Sequence, residues 1–579
     1  MALFPSHTPD AATVRRHVLT VNLEDYYHLS PFKGRISRRD WVRFERRLEI
    51  GTRRTLAMLD EYDVRATFFT LGWVADQVPE LVREVADRGH EVASKGYDHR
   101  SVRQTSPQEF REDLARAREA IERATGRTVY GYRVAERWLA ERELWVLDLL
   151  AEEGYRYDSS VNPVLSAYSK QPGRRVVHQH QAPAGSIWEF PISGLRWLGL
   201  HLPTGGGNYF RQLPRGLMRR AVEHWIRASS APFVMYFHTW ELDPDQPRLA
   251  ASLLSTIRQY RNLDRMEAVV RDYLARYPFQ SVSSYLDLDV RAAGTACPRA
   301  GSATLVPAKE RTNLESREGN PQKIAVVVPC FNEVATLPYL ANTISELRHE
   351  FAPDLTLEWV IVDDGSRDQT WAVVNRLFAG RPDVTLIRHH RNRGVGPAIM
   401  TGLRRASSEV VCSIDCDCTY DPRELRAMIS LLEGDVDLVT ASPYHPRGQV
   451  RNIPAWRLGL SRAASALYRL VLGSKLSTYT SCFRVYRRSS IVGLDVSEGG
   501  FLGIAQLIGK LELRGGRIVE YPTTLNVRLL GQSKMKVART ILGHLRLLVT
   551  LGLQRLAGRR TAAAPALGSV VTPGEGEAA

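Results

Sequence analysis

Two pairs of aspartates in the second half of the chain have the residue type and spacing that diphosphate chemistry needs. Asp363 and Asp364 close an apolar run, EWVIV, and Gly365-Ser366 follow at once as a turn signal. Carboxylates placed there can accept hydrogen bonds from the base and ribose hydroxyls of a nucleotide. Asp415 and Asp417 stand two apart in VVCSIDCDCTYDP, after a second apolar run. In an extended chain, residues i and i+2 point to the same side, so both can face one cation. Hard carboxylate oxygens select Mg2+ or Mn2+, which would also hold a diphosphate and stabilise charge on a departing nucleoside diphosphate. Between the pairs lies RNRGVGPAIMTGL (391–403), a glycine-broken basic turn entering a helix. Its backbone N–H groups and arginines suit an anion. Each feature alone is common; the three in this order point to a nucleotide-sugar site.

The elements that must position these groups alternate. The first block opens with the strand HVLTVNL (17–23), followed by the acidic pair Glu24-Asp25. A helix over about 46–61 leads to the strand ATFFTLG (66–72), another helix to the strand HEVASKG, and the alternation runs on to SVSSYLDL. That pattern predicts an α/β fold, a parallel barrel or a wound sheet. The second block begins with KIAVVVPCFNE and repeats the form in LEWVIVDDGS, buried strands with polar groups at their carboxyl ends. In open α/β sheets ligands bind at those ends. Residues 291–320, rich in Ala, Gly, Pro, Ser and charge, read as a flexible linker between domains 1–290 and 321–557. Residues 558–579 read as a disordered tail.

At 579 residues the chain exceeds one hydrophobic core, and its 44% hydrophobic and 24% charged content is ordinary for globular domains. The net charge of +15 is spread over many arginines. A positive field of that kind favours phosphate-bearing ligands or an anionic membrane surface, and equally fits a simple compositional bias. No helix-turn-helix, zinc-finger or RNA-binding signature is present, so nucleic acid is not expected as a partner. Six cysteines in this length make no disulfide framework and imply a reducing compartment, with core packing as their role. The amino terminus has no apolar stretch for a secretory signal, and no run of eighteen apolar residues occurs. The expectation is a cytoplasmic protein, with peripheral contact at the inner face of an anionic membrane as one role for 537–556. That segment has apolar residues near helical period with arginines between them. Packing back on its own domain is the other role.

In their order, VVVPCFNE, VDDGSRDQT, NRGVGPAI, DCDCTYDP, SCFRVYRR and VRLLGQSKMK resemble glycosyltransferase family 2, over about 321–545. The last of these looks most like the dolichol-phosphate-mannose-synthase-like branch. The resemblance implies a GT-A, Rossmann-like sheet and inverting transfer from a nucleotide-sugar donor to a polyprenyl-phosphate or glycan acceptor. It implies donor contacts at Pro329, Asn332, Glu333, Asp363, Asp364, Arg393, Gly394, Asp415, Arg528, Ser533 and Lys534, with the metal on Asp415 and Asp417. Many relatives carry an aspartate where Thr478 stands. A phosphate acceptor needs no base because its oxygen is already ionised; a sugar hydroxyl would need one, and none is assigned. Arg484, Arg487 and Arg488 are either phosphate contacts or ordinary surface arginines.

Over about 17–290, VNLEDYYH, ATFFTLGWVA, GHEVASKGYDHRS, GYRV, WEFPIS and YFHTWELDPDQPR resemble the polysaccharide deacetylase (carbohydrate esterase family 4) superfamily. Its (β/α) barrel holds a divalent ion such as Zn2+ that activates water against an N-acetyl group. By resemblance Asp25 and His99 match metal ligands, Glu24 the base, His238 the late acid and Arg133 the arginine that orients the base. Lys95 stands where the first histidine ligand belongs, and an ammonium repels a cation. Asn22 replaces a carboxylate, and Val134-Ala135 replace Ala-Pro after the arginine. Only two ligands are visible where a catalytic zinc keeps three, with His28 or His90 as candidates for the third. The reading is a sugar transferase with a fused, degenerate deacetylase-like domain retained for binding or scaffolding, in which Lys95 fills the metal position or binds an anionic sugar. The alternative is a bifunctional enzyme that also removes the acetyl group.

Overall fold

The computed structural model describes residues 15–163, 171–197, 200–289, 322–453, 455–531 and 537–562. The chain divides into two compact units, one formed chiefly by residues up to Leu314 and the other by those from Glu315. The expected linker, 291–320, lies outside the described residues.

The first unit is built on strands β1 (His17–Leu23), β2 (Thr67–Thr70), β3 (Glu91–Ser94), β4 (Gly131–Tyr132), β5 (Tyr157–Asp158), β6 (His178–Ala182), β7 (Gly185–Glu189), β8 (Val234–His238) and β9 (Phe279–Gln280). They form one nine-stranded sheet in the order β8-β1-β2-β3-β4-β5-β7-β6, with β9 also on β1. All its pairings are parallel except the β6–β7 hairpin. The sheet curls as a half-barrel, and among the described residues no pairing joins β8 to β6, so the expected barrel is open there. Every residue of β1 is buried, the mark of a strand covered on both faces. Helices α1 (Leu48–Glu61) and α2 (Pro107–Thr125) flank it. Ser106 and Glu109 form a capping box at the start of α2, and Gly126, at φ 66°, ends it in the left-handed region. The sequence SVSSYLDL does not continue the strands. Ser281 caps the backbone N–H of Ser284, and Val282–Tyr285 turn as a short helix.

The second unit has a seven-stranded sheet: β10 (Gln322–Cys330), β11 (Leu355–Asp363), β12 (Val384–Arg388), β13 (Val410–Ser413), β14 (Val436–Ser442), β15 (Arg484–Arg487) and β16 (Arg517–Pro522). The order is β12-β11-β10-β13-β15-β14-β16, with β15 antiparallel to both neighbours. This is the Rossmann-like sheet that was expected. Its two faces bury separate clusters, one around Val326, Trp359 and Phe483 and one around Val327, Val362 and Leu403. Helices α3 (Leu337–Phe351), α4 (Thr370–Phe378), α5 (Val395–Arg405), α6 (Ala455–Leu472) and α7 (Gly500–Leu513) complete the layers. The last helix, α8 (Val537–Ala562), runs past residue 557 into the segment expected to be disordered.

The inner face of α8 packs His544, Leu547, Leu548 and Leu551 against Tyr468, Leu472, Ala505 and Ile508 of α6 and α7. Its outer face keeps Leu542, Val549 and Leu553 more than 60% exposed, and Trp456 and Leu470 of α6 are also exposed. No helix of the described residues is long and apolar enough to cross a membrane.

Candidate functional sites

In the second unit the parallel strands bring their carboxyl ends to one edge. The register aligns Cys330 with Asp363 and Asp363 with Arg388, and Val327 with Ser413. The loops leaving that edge carry the expected residues. Asn332, at φ 52°, donates its backbone N–H to Ser366 Oγ at 2.8 Å and accepts from the Arg367 N–H at 2.8 Å. The neighbouring Glu333 N–H donates to Thr370 Oγ1 at 2.7 Å. Pro329 lies one residue earlier than Cys330, opposite Val362.

Asp363 is fully buried; its Oδ1 accepts the Ser366 N–H at 3.1 Å and its Oδ2 lies 3.1 Å from Arg388 Nε. Asp364 binds the basic turn through both of its carboxylate oxygens. Its carboxylate accepts the backbone N–H groups of Arg393 (2.9 Å) and Gly394 (2.6 Å), and the Asn392 side-chain amide (2.9 Å). His389 Nδ1 lies 2.7 Å from the same carboxylate, and its Nε2 lies 3.0 Å from Thr401 Oγ1 on α5. Asp364 thus clamps the basic turn against the sheet edge and is a positioning residue. Gly394 sits at φ 97°, and a Cβ there would come within 1.8 Å of the Gly500 nitrogen, so only glycine fits. Arg393 remains exposed at the mouth of the turn.

Asp415 and Asp417 do come together, though not as the extended pair expected. Strand β13 ends at Ser413, and a turn closes with the Cys418 N–H on the Asp415 carbonyl at 3.0 Å. Cys418 takes φ 49°. The turn folds the two carboxylates to one place: burial, then the charge of Asp417, push the Asp415 carboxyl up to about 7. The Arg528 guanidinium stands beside them, 3.5 Å from Asp417 Oδ2 and hydrogen-bonded to Glu333 Oε2. Two adjacent carboxylates with like-charge strain fit a divalent cation whose remaining ligands come from a diphosphate. Ser533 and Lys534 lie outside the described residues.

Arg484, Arg487 and Arg488 each donate to backbone carbonyls within the unit. Arg484 is wholly buried and donates to the carbonyls of Ile504 and Tyr479. Arg487 donates to those of Val436 and Gly434, and Arg488 to those of Leu403 and Arg404. Thr478 is buried, and the turn it occupies is held by Glu520, whose Oε1 accepts the Ser477 and Thr478 N–H groups at 2.8 and 3.1 Å. His389 and Glu520 escaped the sequence reading; only the position of His389 just past a strand and before the basic turn could have marked it.

In the first unit, Lys95, Arg133 and His238 stand at the carboxyl ends of β3, β4 and β8, with Asn22 and Glu24 at the end of β1. Glu24 is the hub. One carboxylate oxygen takes Lys95 Nζ and lies 3.5 Å from His99 Nε2, and the other lies 2.5 Å from His238 Nδ1. Burial would raise this carboxyl, but the Lys95 and His238 charges hold it well below the usual carboxylate range. Arg133 does not touch Glu24. It donates to Asn22 Oδ1 (3.2 Å), Thr20 Oγ1 (2.9 Å), and the carbonyl and hydroxyl oxygens of Ser159.

Asp25 departs from the expected role of metal ligand. Its oxygens accept the Tyr26, Arg47 and Leu48 N–H groups at 2.9, 2.8 and 3.0 Å, so it caps the start of α1. His90 sits below the amino end of β3, accepting the Ala66 N–H, at the wrong end of the sheet for a ligand. His28 uses Nδ1 to accept the Asp25 N–H at 3.0 Å. With Asp25 spent on backbone and an ammonium on Glu24, these residues do not fit a catalytic zinc, which needs three convergent neutral or anionic ligands. Among the described residues no group of three or more His, Cys, Asp or Glu is arranged to hold a metal ion.

Residues 325–493 match the model of glycosyl transferase family 2, residues 41–152 that of polysaccharide deacetylase, and residues 159–287 a domain of unknown function (DUF3473). The polyprenol monophosphomannose synthase of Mycolicibacterium smegmatis is 33% identical over 222 residues, which are 37% of this chain and 81% of that protein. The dolichol-phosphate mannosyltransferase of Pyrococcus furiosus is 28% identical over 226 residues, 39% of this chain and 62% of that protein. Among solved structures, glucosyl-3-phosphoglycerate synthase from Mycobacterium tuberculosis, in complex with Mn2+, uridine diphosphate and glucosyl-3-phosphoglycerate, aligns with a TM-score of 0.32. It has 22% identity and covers 41% of this chain and 80% of its own.

Proposed function

Because the chain belongs, through its carboxyl-terminal unit, to glycosyltransferase family 2, we propose that it moves a hexosyl group from a nucleotide-sugar donor to a polyprenyl phosphate, with inversion. The observation that carries this reading is the one sheet edge from which the Asp364-clamped basic turn, after β12, and the Asp415–Asp417 turn, after β13, both leave, with the ends of β11 and β10 between them. The exposed Arg393 side chain meets the donor's phosphates, while the loop of Asn332 and Glu333 borders the nucleotide. A bound Mg2+ or Mn2+ would rest on Asp415 and Asp417 and neutralise charge on the leaving diphosphate. The acceptor oxygen bonds to the anomeric carbon as the bond to the donor's diphosphate oxygen breaks, which inverts that carbon.

A lipid phosphate is favoured over a sugar hydroxyl by the surroundings of Thr478. The carboxylate nearest that turn, Glu520, is occupied by two backbone N–H groups, and an ionised phosphate needs no proton removed. The relatives named for polyprenol and dolichol phosphates support the same acceptor class. The exposed leucines of α6 and α8 fit docking at an anionic membrane, where such a lipid resides. The two helices carry eight arginines and no acidic residue, and apolar faces flanked by Arg bind anionic interfaces.

The test is a panel of nucleotide sugars with Mn2+, scoring nucleoside diphosphate release with and without a short-chain polyprenyl phosphate. Release that depends on the lipid phosphate supports the proposal. Release that depends instead on a free glycan moves the acceptor to the other class, and no release with any donor overturns it.

A further inference from the structure

A cavity of about 360 Å3 opens beside the Glu24 hub, within the first unit and lined by residues of that unit alone. Its size falls in the range of about 300–1,000 Å3 common for small-molecule sites. Tyr27, Phe32 and Trp41 supply aromatic wall, and His99 and His28 form the side towards Glu24.

Two donors in this wall are unspent. His28 Nδ1 accepts the Asp25 N–H, so that nitrogen carries no proton. The ring proton therefore sits on Nε2, a buried atom with no partner, on a side chain only 4% exposed. Arg38 Nε is likewise buried and unpartnered. A buried donor left unmatched is destabilising, so an acceptor-bearing ligand is favoured here.

The charges of the lining do not balance. Three basic side chains, Lys33, Arg38 and Arg100, face two carboxylates, Asp98 and Glu136. Lys33 pairs with Glu136 at 2.6 Å, while Arg38 and Arg100 share Asp98 at 2.6 and 3.2 Å. The lining itself thus carries one basic side chain more than it has carboxylates, although Arg100 also lies near Asp113 and Glu109 outside it, and Lys95 behind it is paired with Glu24.

From this we infer that the amino-terminal site is a metal-independent binding pocket for an anionic sugar unit, a saccharide carrying a carboxylate or a phosphate. The aromatic walls stack on the ring, Arg38 and Arg100 take the anion, and His28 Nε2–H donates to a ring or hydroxyl oxygen. Lys95 and His238 occupy the two carboxylate oxygens of Glu24, so neither is free to take a proton from water and the bound sugar is not hydrolysed.

The experiment uses the full-length chain and three probes, glucuronic acid, glucose 6-phosphate and glucose, titrated calorimetrically with and without EDTA. Glucuronic acid or glucose 6-phosphate binds at least tenfold more tightly than glucose, EDTA changes neither value, and the stronger of the two identifies the anion. Arg38→Met weakens that binding at least tenfold while sugar transfer by the other unit is unchanged. Should Arg38→Met fail to fold, Arg100→Met, whose guanidinium is 54% exposed, carries the same test. Equal affinity for glucose, loss of binding on chelation, or no binding by any probe each overturns the inference.

Discussion

Arg528 Nη1 lies 3.5 Å from Asp417 Oδ2, so a guanidinium stands beside the two carboxylates that are proposed to take a divalent ion. The same side chain is bonded to Glu333. A cation entering at Asp415 and Asp417 meets this charge and competes with it. Removing it in Arg528→Gln is expected to tighten Mn2+ binding about tenfold, equal to roughly 1.4 kcal/mol, measured by calorimetry without donor. Turnover of the same variant falls at least tenfold, because the guanidinium then no longer reaches the donor's phosphates. Unchanged Mn2+ affinity would mean that Arg528 is not a competitor for the ion.

Asp417→Ala removes one of two ligands and the neighbour whose charge helps raise Asp415. Loss of nucleoside diphosphate release to background is expected, with the thermal transition kept within a few degrees because the side chain is partly exposed. Wild-type release by this variant would show that the metal rests elsewhere.

The clamp on the basic turn gives a different signature. Asp364 receives donors from four residues between 389 and 394, so Asp364→Asn, which exchanges an acceptor oxygen for a donor, loosens the turn without touching the reacting atoms. KM for the donor rises about tenfold or more while the metal affinity holds, since one lost charged hydrogen bond is worth about 1.5–3 kcal/mol. His389→Ala moves in the same direction by less. A fall in kcat alone, with donor KM unchanged, would place Asp364 in the chemistry instead.

Much of this was open to sequence reading, and the parts that were not share a cause. The strands ending at Leu23, Cys330 and Asp363 were legible because β-branched runs with polar ends have few other uses. Asp415 and Asp417 were legible as a pair, yet the geometry that unites them is a turn rather than a strand. The roles of Asp364 and Asp25 were hidden because backbone N–H groups, which leave no mark in the sequence, occupy both carboxylates. The buried place of Arg484 fits neither role that the sequence offers, phosphate contact or surface arginine, because nothing local shows that Ile504 and Tyr479 present carbonyls inside the fold. SVSSYLDL alternates like a strand, but Ser281 caps a helix there.

Asp158 and Glu189 face each other across β5 and β7, both fully buried. Burial, then the charge of Asp158, holds the Glu189 carboxyl well above its usual range, and burial also raises Asp158. A folded-state value above the unfolded one gives stability that is complete below the ordinary carboxylate value, near 4, and that is lost as pH climbs towards the raised value. The urea midpoint of the first unit is therefore expected to fall between pH 5 and pH 9. Glu189→Gln, neutral throughout, flattens that slope; a variant with the wild-type slope would show that another group titrates.

Membrane docking makes the last prediction, because the outer faces of α6 and α8 expose large apolar side chains that the fold does not use. Leu542 is 69% and Leu553 62% exposed on α8, and Leu470 78% on α6, whereas the core side of α8 is already filled by Leu547, Leu548 and Leu551. Replacing Leu542 and Leu553 together by Glu adds two negative charges to a surface segment without opening a cavity, so the fold is retained. Co-sedimentation with vesicles of phosphatidylglycerol drops at least tenfold, and transfer to a vesicle-embedded polyprenyl phosphate drops with it, while transfer to a short, water-soluble analogue does not. Charge-neutral vesicles bind the wild type weakly, and salt weakens the anionic ones, because the arginines act through a screened field. If the double variant sediments as the wild type does, the exposed leucines are not the docking face.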